Sequence, residues 1–187
     1  MRKLSMEELN RKTVDAFRAA PKLPFIAVLE NVRSAYNVGS VLRTADAFLL
    51  EAVYTTGYTA HPPHKQIAKT ALGADESVSS RHFPAAEDAI AVLRADGFRI
   101  YAAEQASHSV LLQDFLVTEG DRVAILFGNE VTGVEAATIL QCDGCIEIPQ
   151  QGMKHSLNIA TAAGIILWEL VRKSAFKTPV LPAEQPG

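Results

Sequence analysis

Short apolar segments alternate along the chain with segments whose apolar residues recur every three to four positions. The apolar runs predict six strands, at residues 25–29, 52–56, 76–80, 98–103, 122–127 and 145–148. The other segments predict helices over residues 38–50, 65–72, 84–95, 133–141 and 156–173, with a weak helical turn at 111–115. Runs that are apolar throughout are typical of strands buried on both faces, and their alternation with helices predicts a parallel sheet with helices on both sides. We therefore expect an α/β fold.

The two ends of the chain are predicted to lie outside this alternation. Residues 1–23 carry a loose apolar stripe closed by Pro21 and Pro24, and they predict an N-terminal helical extension. Residues 24–173 form the one predicted domain. Residues 174–187 contain three prolines and are expected to form a loose tail.

Composition narrows the class of protein. Of 187 residues, 48% are hydrophobic and 21% are charged, which suits a sizeable core and excludes global disorder. No apolar run is long enough to span a bilayer, and the charged N-terminus is not followed by an apolar signal core, so we expect a cytoplasmic protein without membrane contact. The net charge of −3 argues against binding to nucleic acid through bulk electrostatics alone, although local basic groups remain available.

Cys142 and Cys145 form a C-x-x-C pattern. Redox pairs of this kind lie where a strand gives way to a helix, whereas this pair precedes the apolar run of the sixth predicted strand. A structural zinc site needs four ligands, and His61 and His64 are too closely spaced to complete one. We therefore expect no metal and no redox role.

Ligands of parallel sheets bind at the carboxyl ends of the strands, which selects the loops at 30–37, 104–109, 128–132 and 149–155. The first of them leads into an N-x-G-x-x-x-R pattern. In it, Asn37 is a suitable N-cap for the following helix and Gly39 permits the close approach of a backbone or a ligand. Arg43 has two interpretations: a surface ion pair with Asp46, or a guanidinium that holds a phosphate or a ribose near the strand ends.

The later loops carry further polar groups. Gly128 and Gly133 surround Glu130 directly after a buried strand, a pattern suited to backbone recognition of a small molecule, or to a tight turn in which Glu130 is solvated. Neither the dinucleotide fingerprint nor the P-loop pattern is present. After the sixth strand, Ser156 is the predicted N-cap of the last helix, and Asn158 is a first-turn residue that needs a hydrogen-bond partner.

Taken together, these loops resemble the SpoU (TrmH) family of RNA ribose 2′-O-methyltransferases, within the SPOUT superfamily. The resemblance rests on N-x-G-x-x-x-R, on Phe127-Gly128-Asn129-Glu130, and on Ile148-Pro149 followed by Gly152 and Ser156-Leu157-Asn158. Their order and spacing agree with the family over about residues 24–172. The resemblance implies a SPOUT-type, mostly parallel sheet with helices on both faces and a C-terminal trefoil knot. It also implies a homodimer whose sites are completed across the interface.

The resemblance also assigns ligands and roles. It implies that S-adenosylmethionine is bound chiefly by backbone groups, at the positions Ala102, Ala103, Gly128, Ile148 and Leu157. The catalytic positions that it implies are Asn37, Arg43, Glu130, Ser156 and Asn158. An arginine is too basic to lose a proton readily, so we expect Arg43 to position the ribose and to act electrostatically, with an RNA phosphate as the proton acceptor.

The expected substrate is RNA. The short segment before the predicted domain favours tRNA over rRNA, and the candidate RNA contacts are Arg33, Lys65 and Lys69. The alternatives are methylation of rRNA and a non-catalytic RNA-binding protein on the same scaffold.

Overall fold

Seven parallel strands form one sheet in the computed structural model, which describes residues 2–5, 8–9, 11–154 and 156–175. The strands are β1 (Leu23–Glu30), β2 (Leu50–Thr56), β3 (Ser80–Phe83), β4 (Arg99–Ala103), β5 (Val110–Leu111), β6 (Val123–Phe127) and β7 (Gly144–Glu147). Every neighbouring pair is parallel, in the order β3-β2-β1-β6-β4-β7-β5. The predicted α/β class with a parallel sheet is confirmed.

Helices cover both faces of this sheet. They are α1 (Val14–Ala19), α2 (Ala35–Ala47), α3 (Lys65–Ala71), α4 (Ala74–Ser77), α5 (Ala86–Ala95), α6 (Ala136–Ile139) and α7 (Ile159–Ser174). Strand β1 shows how the faces separate: Phe25 and Ala27 pack in the larger core with α2 and α7, while Ile26 and Val28 pack in the smaller core with α5. Successive side chains of a strand point to opposite faces, so this central strand is buried on both sides.

One predicted element is wrong and one strand was missed. Residues 76–80 are not a strand: they contain the end of α4 and the first residue of β3. Gly73, with φ 94°, is the N-cap of α4, and Asp75 and Glu76 lie in its first turn, where acidic side chains complement the helix dipole. The weak helical turn expected at 111–115 is present, since the N–H of Phe115 donates to the carbonyl oxygen of Leu111 over 3.1 Å. Residues 110 and 111 also pair with β7 and add a seventh strand that was not predicted.

The N-terminal end of the chain also differs from the prediction. Among the described residues before β1, only α1 is helical, so the extension is much shorter than the helix expected over residues 1–23. Thr13 caps α1 and Phe17 inserts into the larger core. Residues 176–187 of the expected tail lie outside the described residues. No helix in the described part of the chain is both long enough and apolar enough to cross a bilayer.

The segment after β5 is fastened to the end of α7 by Lys173. Its ammonium donates to the carbonyl oxygens of Leu112 (3.0 Å), Gln113 (2.9 Å) and Phe115 (2.8 Å), and it pairs with Glu169 at 3.2 Å. The Lys173 side chain is only 15% exposed, so these partners satisfy a largely buried charge. The last helix is therefore held against a segment that leads from β5 to β6.

Candidate active site

A cavity of about 650 Å³ opens where β4, β6 and β7 end. Its walls come from the loops after these strands and from the start of α7. The lining residues include Ala103, Glu104, Gly128, Asn129, Glu130, Glu147, Ile148, Ser156, Leu157 and Asn158. The volume lies in the range of small-molecule sites, and the position is the carboxyl edge at which parallel sheets bind ligands.

Glu130, in the loop after β6, fastens this cavity wall to the loop after β1. Its carboxylate accepts hydrogen bonds from the backbone N–H groups of Arg33 (2.9 Å) and Ser34 (3.0 Å) and from Nδ2 of Asn37 (2.9 Å). Desolvation raises the pKa of Glu130, but the hydrogen bonds from Arg33, Asn37 and Ser34 outweigh it, so the pKa lies below its ordinary value. Glu130 is therefore an ionised anchor and not a solvated turn residue.

Asn37 and Asn158 join the segment after β1 to the segment after β7. Nδ2 of Asn158 donates to Oδ1 of Asn37 over 3.3 Å, and Oδ1 of Asn158 accepts from the N–H of Ala160 over 2.9 Å. Asn158 is thus the N-cap of α7, and the prediction that Ser156 caps it is wrong. Asn37 is not an N-cap either, because α2 begins earlier and is capped by Ser34. The earlier start leaves the amide of Asn37 available to Glu130 and Asn158.

Asn129 closes the loop after β6. Its backbone exchanges two hydrogen bonds of 3.0 Å with Gly133, and its Oδ1 accepts from two further N–H groups within the loop. Its Nδ2 donates to the carbonyl oxygen of Asn31 over 2.9 Å. A Cβ on Gly128 would lie 2.1 Å from the backbone of Gly133, so only glycine allows the loop to fold back so closely. The wall beside Glu130 is therefore a tightly closed turn.

Four of the five positions expected to bind the cofactor line this cavity. Ala103, Gly128, Ile148 and Leu157 line it, whereas Ala102 is fully buried in β4 behind the wall. Among the described residues, 148–154 and 156–157 make no backbone–backbone hydrogen bonds. Their peptide groups are therefore available to a ligand.

Two cavity carboxylates were not singled out from the sequence. Glu104 accepts from the N–H groups of Gln105 (3.0 Å) and Val134 (3.1 Å), and Glu147 accepts from the hydroxyl of Ser109. Together with Glu130 they give the cavity three acidic side chains, which favour a positively charged ligand. The position of Glu104 directly after β4 is the signal that could have identified it.

Arg43 lies outside this cavity. It follows Asn37 by six residues on α2, so the two side chains leave the helix in different directions. Arg43 lines a second groove, of about 510 Å³, together with Lys69. The ion pair with Asp46 is not observed, because Asp46 accepts a hydrogen bond from the hydroxyl of Ser77 over 2.6 Å. Within the described part of the chain, the guanidinium of Arg43 has no hydrogen bond or ion pair.

The expected RNA contacts are exposed and lie near α2 and α3. Arg33 immediately precedes the cap of α2, and its N–H binds Glu130. Lys65 begins α3, and Lys69 follows one turn later beside the groove of Arg43. The structure thus places Lys69 beside Arg43, and the backbone of Arg33 beside the cavity wall.

The environment of Cys142 and Cys145 does not favour thiolates. Cys145 is buried in β7, and the thiol of Cys142 donates to the carbonyl oxygen of Thr138 over 3.3 Å. Burial raises the pKa of Cys142 to about 12 and also raises the pKa of Cys145. Both thiols are protonated at neutral pH, a state unsuited to metal ligation or thiol exchange.

Comparison with known proteins gives consistent matches. The sequence profile described as the SpoU rRNA Methylase family matches residues 24–168. The chain is 30% identical to the tRNA (guanosine(18)-2′-O)-methyltransferase of Thermus thermophilus, over 89% of this chain and 84% of that protein. It is also 30% identical to the 23S rRNA (guanosine-2′-O-)-methyltransferase of Vibrio parahaemolyticus, over 89% of this chain and 66% of the relative.

A solved structure is similar in fold. The AdoMet-bound rRNA methyltransferase from Sinorhizobium meliloti superposes with a TM-score of 0.74 at 28% identity, covering 84% of this chain and 59% of that one. The chain therefore spans only part of the length of these two rRNA-modifying proteins, 66% and 59% respectively.

Proposed function

The chain belongs to the SpoU rRNA methylase family, and from this membership we propose that it transfers a methyl group from S-adenosylmethionine to the 2′-hydroxyl of an RNA ribose. The observation that carries the proposal is the cavity formed by the loops after β4, β6 and β7. The loop after β1 is joined to its wall through the contacts of Glu130 with Asn37 and of Asn37 with Asn158. The names of the Thermus and Vibrio relatives, both guanosine 2′-O-methyltransferases, support this reaction class.

The cavity suits S-adenosylmethionine. The ligand carries a positive sulfonium and an ammonium group, which complement the carboxylates of Glu104, Glu130 and Glu147. The backbone groups next to Gly128 and Ile148 would hold it, and the described residues of the loop after Ile148 make no competing backbone hydrogen bonds. When bound, S-adenosylmethionine supplies a methyl group already activated by the sulfonium centre.

The protein then needs to align the ribose oxygen and help to remove its proton. Glu130 is held ionised by three hydrogen bonds, so its role is to fix the cavity wall and orient Asn37. Ser156 and Asn158 lie at the same wall and would position the ribose. Arg43 would stabilise charge on the ribose or on an adjacent phosphate, and the phosphate would take up the proton of the ribose hydroxyl.

We propose that the protein functions as a homodimer, because a second copy is the simplest way for Arg43 to reach a cavity. In one copy, Arg43 lines a groove separate from the cavity. Close to this groove, α7 exposes Ile165 (39%) and Trp168 (46%), and the Trp168 ring lies 5.7 Å from that of Phe48. A second copy packed on this apolar surface would bury it and bring Arg43 of one subunit to the cavity of the other.

A trefoil knot in the C-terminal half is part of the same proposal. Strand β7 enters the sheet between β4 and β5, and α7 then returns to the segment at 112–117. The hydrogen bonds of Lys173 to that segment would hold the threaded chain in place.

For the RNA we propose tRNA first and rRNA as the alternative, since the tRNA-modifying relative is matched over more of its length. Exposed Arg33, Lys65 and Lys69 would contact the phosphates. The proposed place of action is the cytoplasm, where unmodified tRNA and rRNA are both present.

The test is an Arg43→Ala variant assayed with labelled S-adenosylmethionine and RNA from a strain that lacks the gene. We expect the wild type to label RNA and the variant to lose transfer, while calorimetry shows unchanged cofactor binding because Arg43 lies outside the cavity. Transfer retained by the variant would contradict the role of Arg43. Cofactor binding absent from the wild type would favour a non-catalytic RNA-binding protein.

A further inference from the structure

Tyr58 is an exposed aromatic side chain whose position is nevertheless fixed. Tyr58 is 64% exposed, yet its hydroxyl accepts a hydrogen bond from Nδ2 of Asn129 over 2.8 Å. Its backbone N–H donates to Oδ1 of Asn31 over 3.3 Å. An exposed tyrosine that served only as surface would need neither restraint.

The turn beneath Tyr58 is also tightly built. Asn31 and Gly57 both have left-handed φ angles, of 53° and 62°. A Cβ on Gly57 would lie 2.0 Å from Oδ1 of Asn31, and Nδ2 of Asn31 donates to Glu135 over 2.6 Å. The tyrosine is thus held from both ends, so little conformational entropy remains to be lost if its ring face binds a partner.

The ring lies at the rim of the candidate active site. Its hydrogen-bond partner Asn129 lines the cavity, whereas Tyr58 itself does not. The same loop carries exposed His61, whose ring stacks on that of His82 with centroids 4.1 Å apart, and exposed Lys65 follows it. Ring faces interspersed with cations are the surface that unpaired nucleotides prefer.

We propose that Tyr58 is a stacking platform for an unpaired base of the RNA, next to the ribose that receives the methyl group. The proposal rests on the function proposed above and adds a specific contact for its substrate. Stacking on a fixed ring would hold the flanking base outside the cavity while the ribose enters it. The hydroxyl of Tyr58 would serve to orient the ring through Asn129 and would not touch the RNA.

A series at this one position separates the ring from its hydroxyl. Tyr58→Phe keeps the ring, Tyr58→Leu keeps apolar bulk without a ring, and Tyr58→Ala removes both. We expect the Leu and Ala variants to raise the KM for RNA roughly 5- to 150-fold, the range for loss of one stacked base. The Phe variant, which keeps the ring and loses only its hydrogen bond to Asn129, should raise it less. The kcat and the Kd for S-adenosylmethionine should change little in all three.

The probes are total tRNA and total rRNA from a strain lacking the gene, used in methyl transfer and in filter binding without cofactor. Leu and Ala variants with wild-type KM and RNA affinity would overturn the stacking role. A Phe variant as impaired as Ala would overturn it too, because the hydrogen bond to Asn129 would then be what matters. RNA binding by the wild type without any methyl transfer would refute the proposed function, while the binding series would still decide the role of Tyr58.

Discussion

Replacing Glu130 by glutamine tests whether this carboxylate fastens the wall of the cavity. In the wild type, one oxygen accepts from the Arg33 N–H and the other accepts from the Ser34 N–H and the Asn37 amide. Glutamine has one acceptor oxygen and one NH₂ group. If the glutamine oxygen accepts from Ser34 and Asn37, the NH₂ group faces the N–H of Arg33. The Arg33 N–H then loses its acceptor.

An unsatisfied donor costs about 1–3 kcal/mol, and the low end applies here because Glu130 is exposed and water offsets part of the loss. A change of about 1 kcal/mol lowers the Tm of a domain of this size by about 2–4 °C. The pH dependence gives a second signature, because hydrogen bonding holds the pKa of Glu130 below 4.5 in the folded protein. Its stabilising contribution is fully present above the unfolded-state pKa and is lost as pH falls through the folded-state pKa.

The assay is thermal unfolding, monitored by circular dichroism, from neutral pH down to about pH 3, so that the range below the unfolded-state pKa is covered. Glu87→Gln is the matched control, because Glu87 is exposed on α5 and its side chain has no hydrogen bond within the described part of the chain. We expect Glu130→Gln to melt below both wild type and control at neutral pH, with the difference shrinking as the solution is acidified. Equal melting of the two variants at every pH would refute the anchoring role.

Two further predictions concern packing and thiol reactivity. Gly39→Ala should destabilise the fold by about 1–3 kcal/mol in urea unfolding, because the new Cβ would lie 2.2 Å from Oγ1 of Thr70 and 2.3 Å from the carbonyl oxygen of Ile67. In Gly164→Ala the new Cβ would meet no atom within 4 Å, so this substitution should instead stabilise the fold by about 0.5–1 kcal/mol. Equal changes in unfolding free energy for the two variants would contradict close packing of α2 on α3. Cys142, with its pKa raised to about 12 by burial, should react slowly with a disulfide reagent until denaturant is added. Reaction at the unfolded rate in the native protein would contradict that burial.

The sequence predicts the central part of the sheet well, because strands buried on both faces leave continuous apolar runs. Strand β6 is buried throughout and is predicted to within one residue. The edges are harder to predict because pairing decides them. Strand β3 is mostly exposed and β5 has two residues, so neither leaves an apolar pattern of its own.

The candidate site is likewise only partly predictable from the sequence. Asn37, Glu130 and Asn158 are identifiable from their places after strands, but the hydrogen bonds that join them are not. Those of Asn37 to Glu130 and Asn158 join residues 93 and 121 positions apart. The buried carboxylate of Glu30, which binds Thr138 at a separation of 108 residues, leaves no local signal at all. Capping was mispredicted at α2 and α7, where two polar residues lie near the helix start: Ser34 caps α2 in place of Asn37, and Asn158 caps α7 in place of Ser156.

The most direct test of the proposed function identifies the methylated atom. The protein is incubated with S-adenosylmethionine carrying a trideuterated methyl group and with tRNA or rRNA from a strain lacking the gene, and the RNA is digested for mass spectrometry. We predict a 2′-O-methylnucleoside whose label stays with the ribose fragment and is absent from the base. Label on a base, or no label in either RNA, would contradict ribose methylation by this chain.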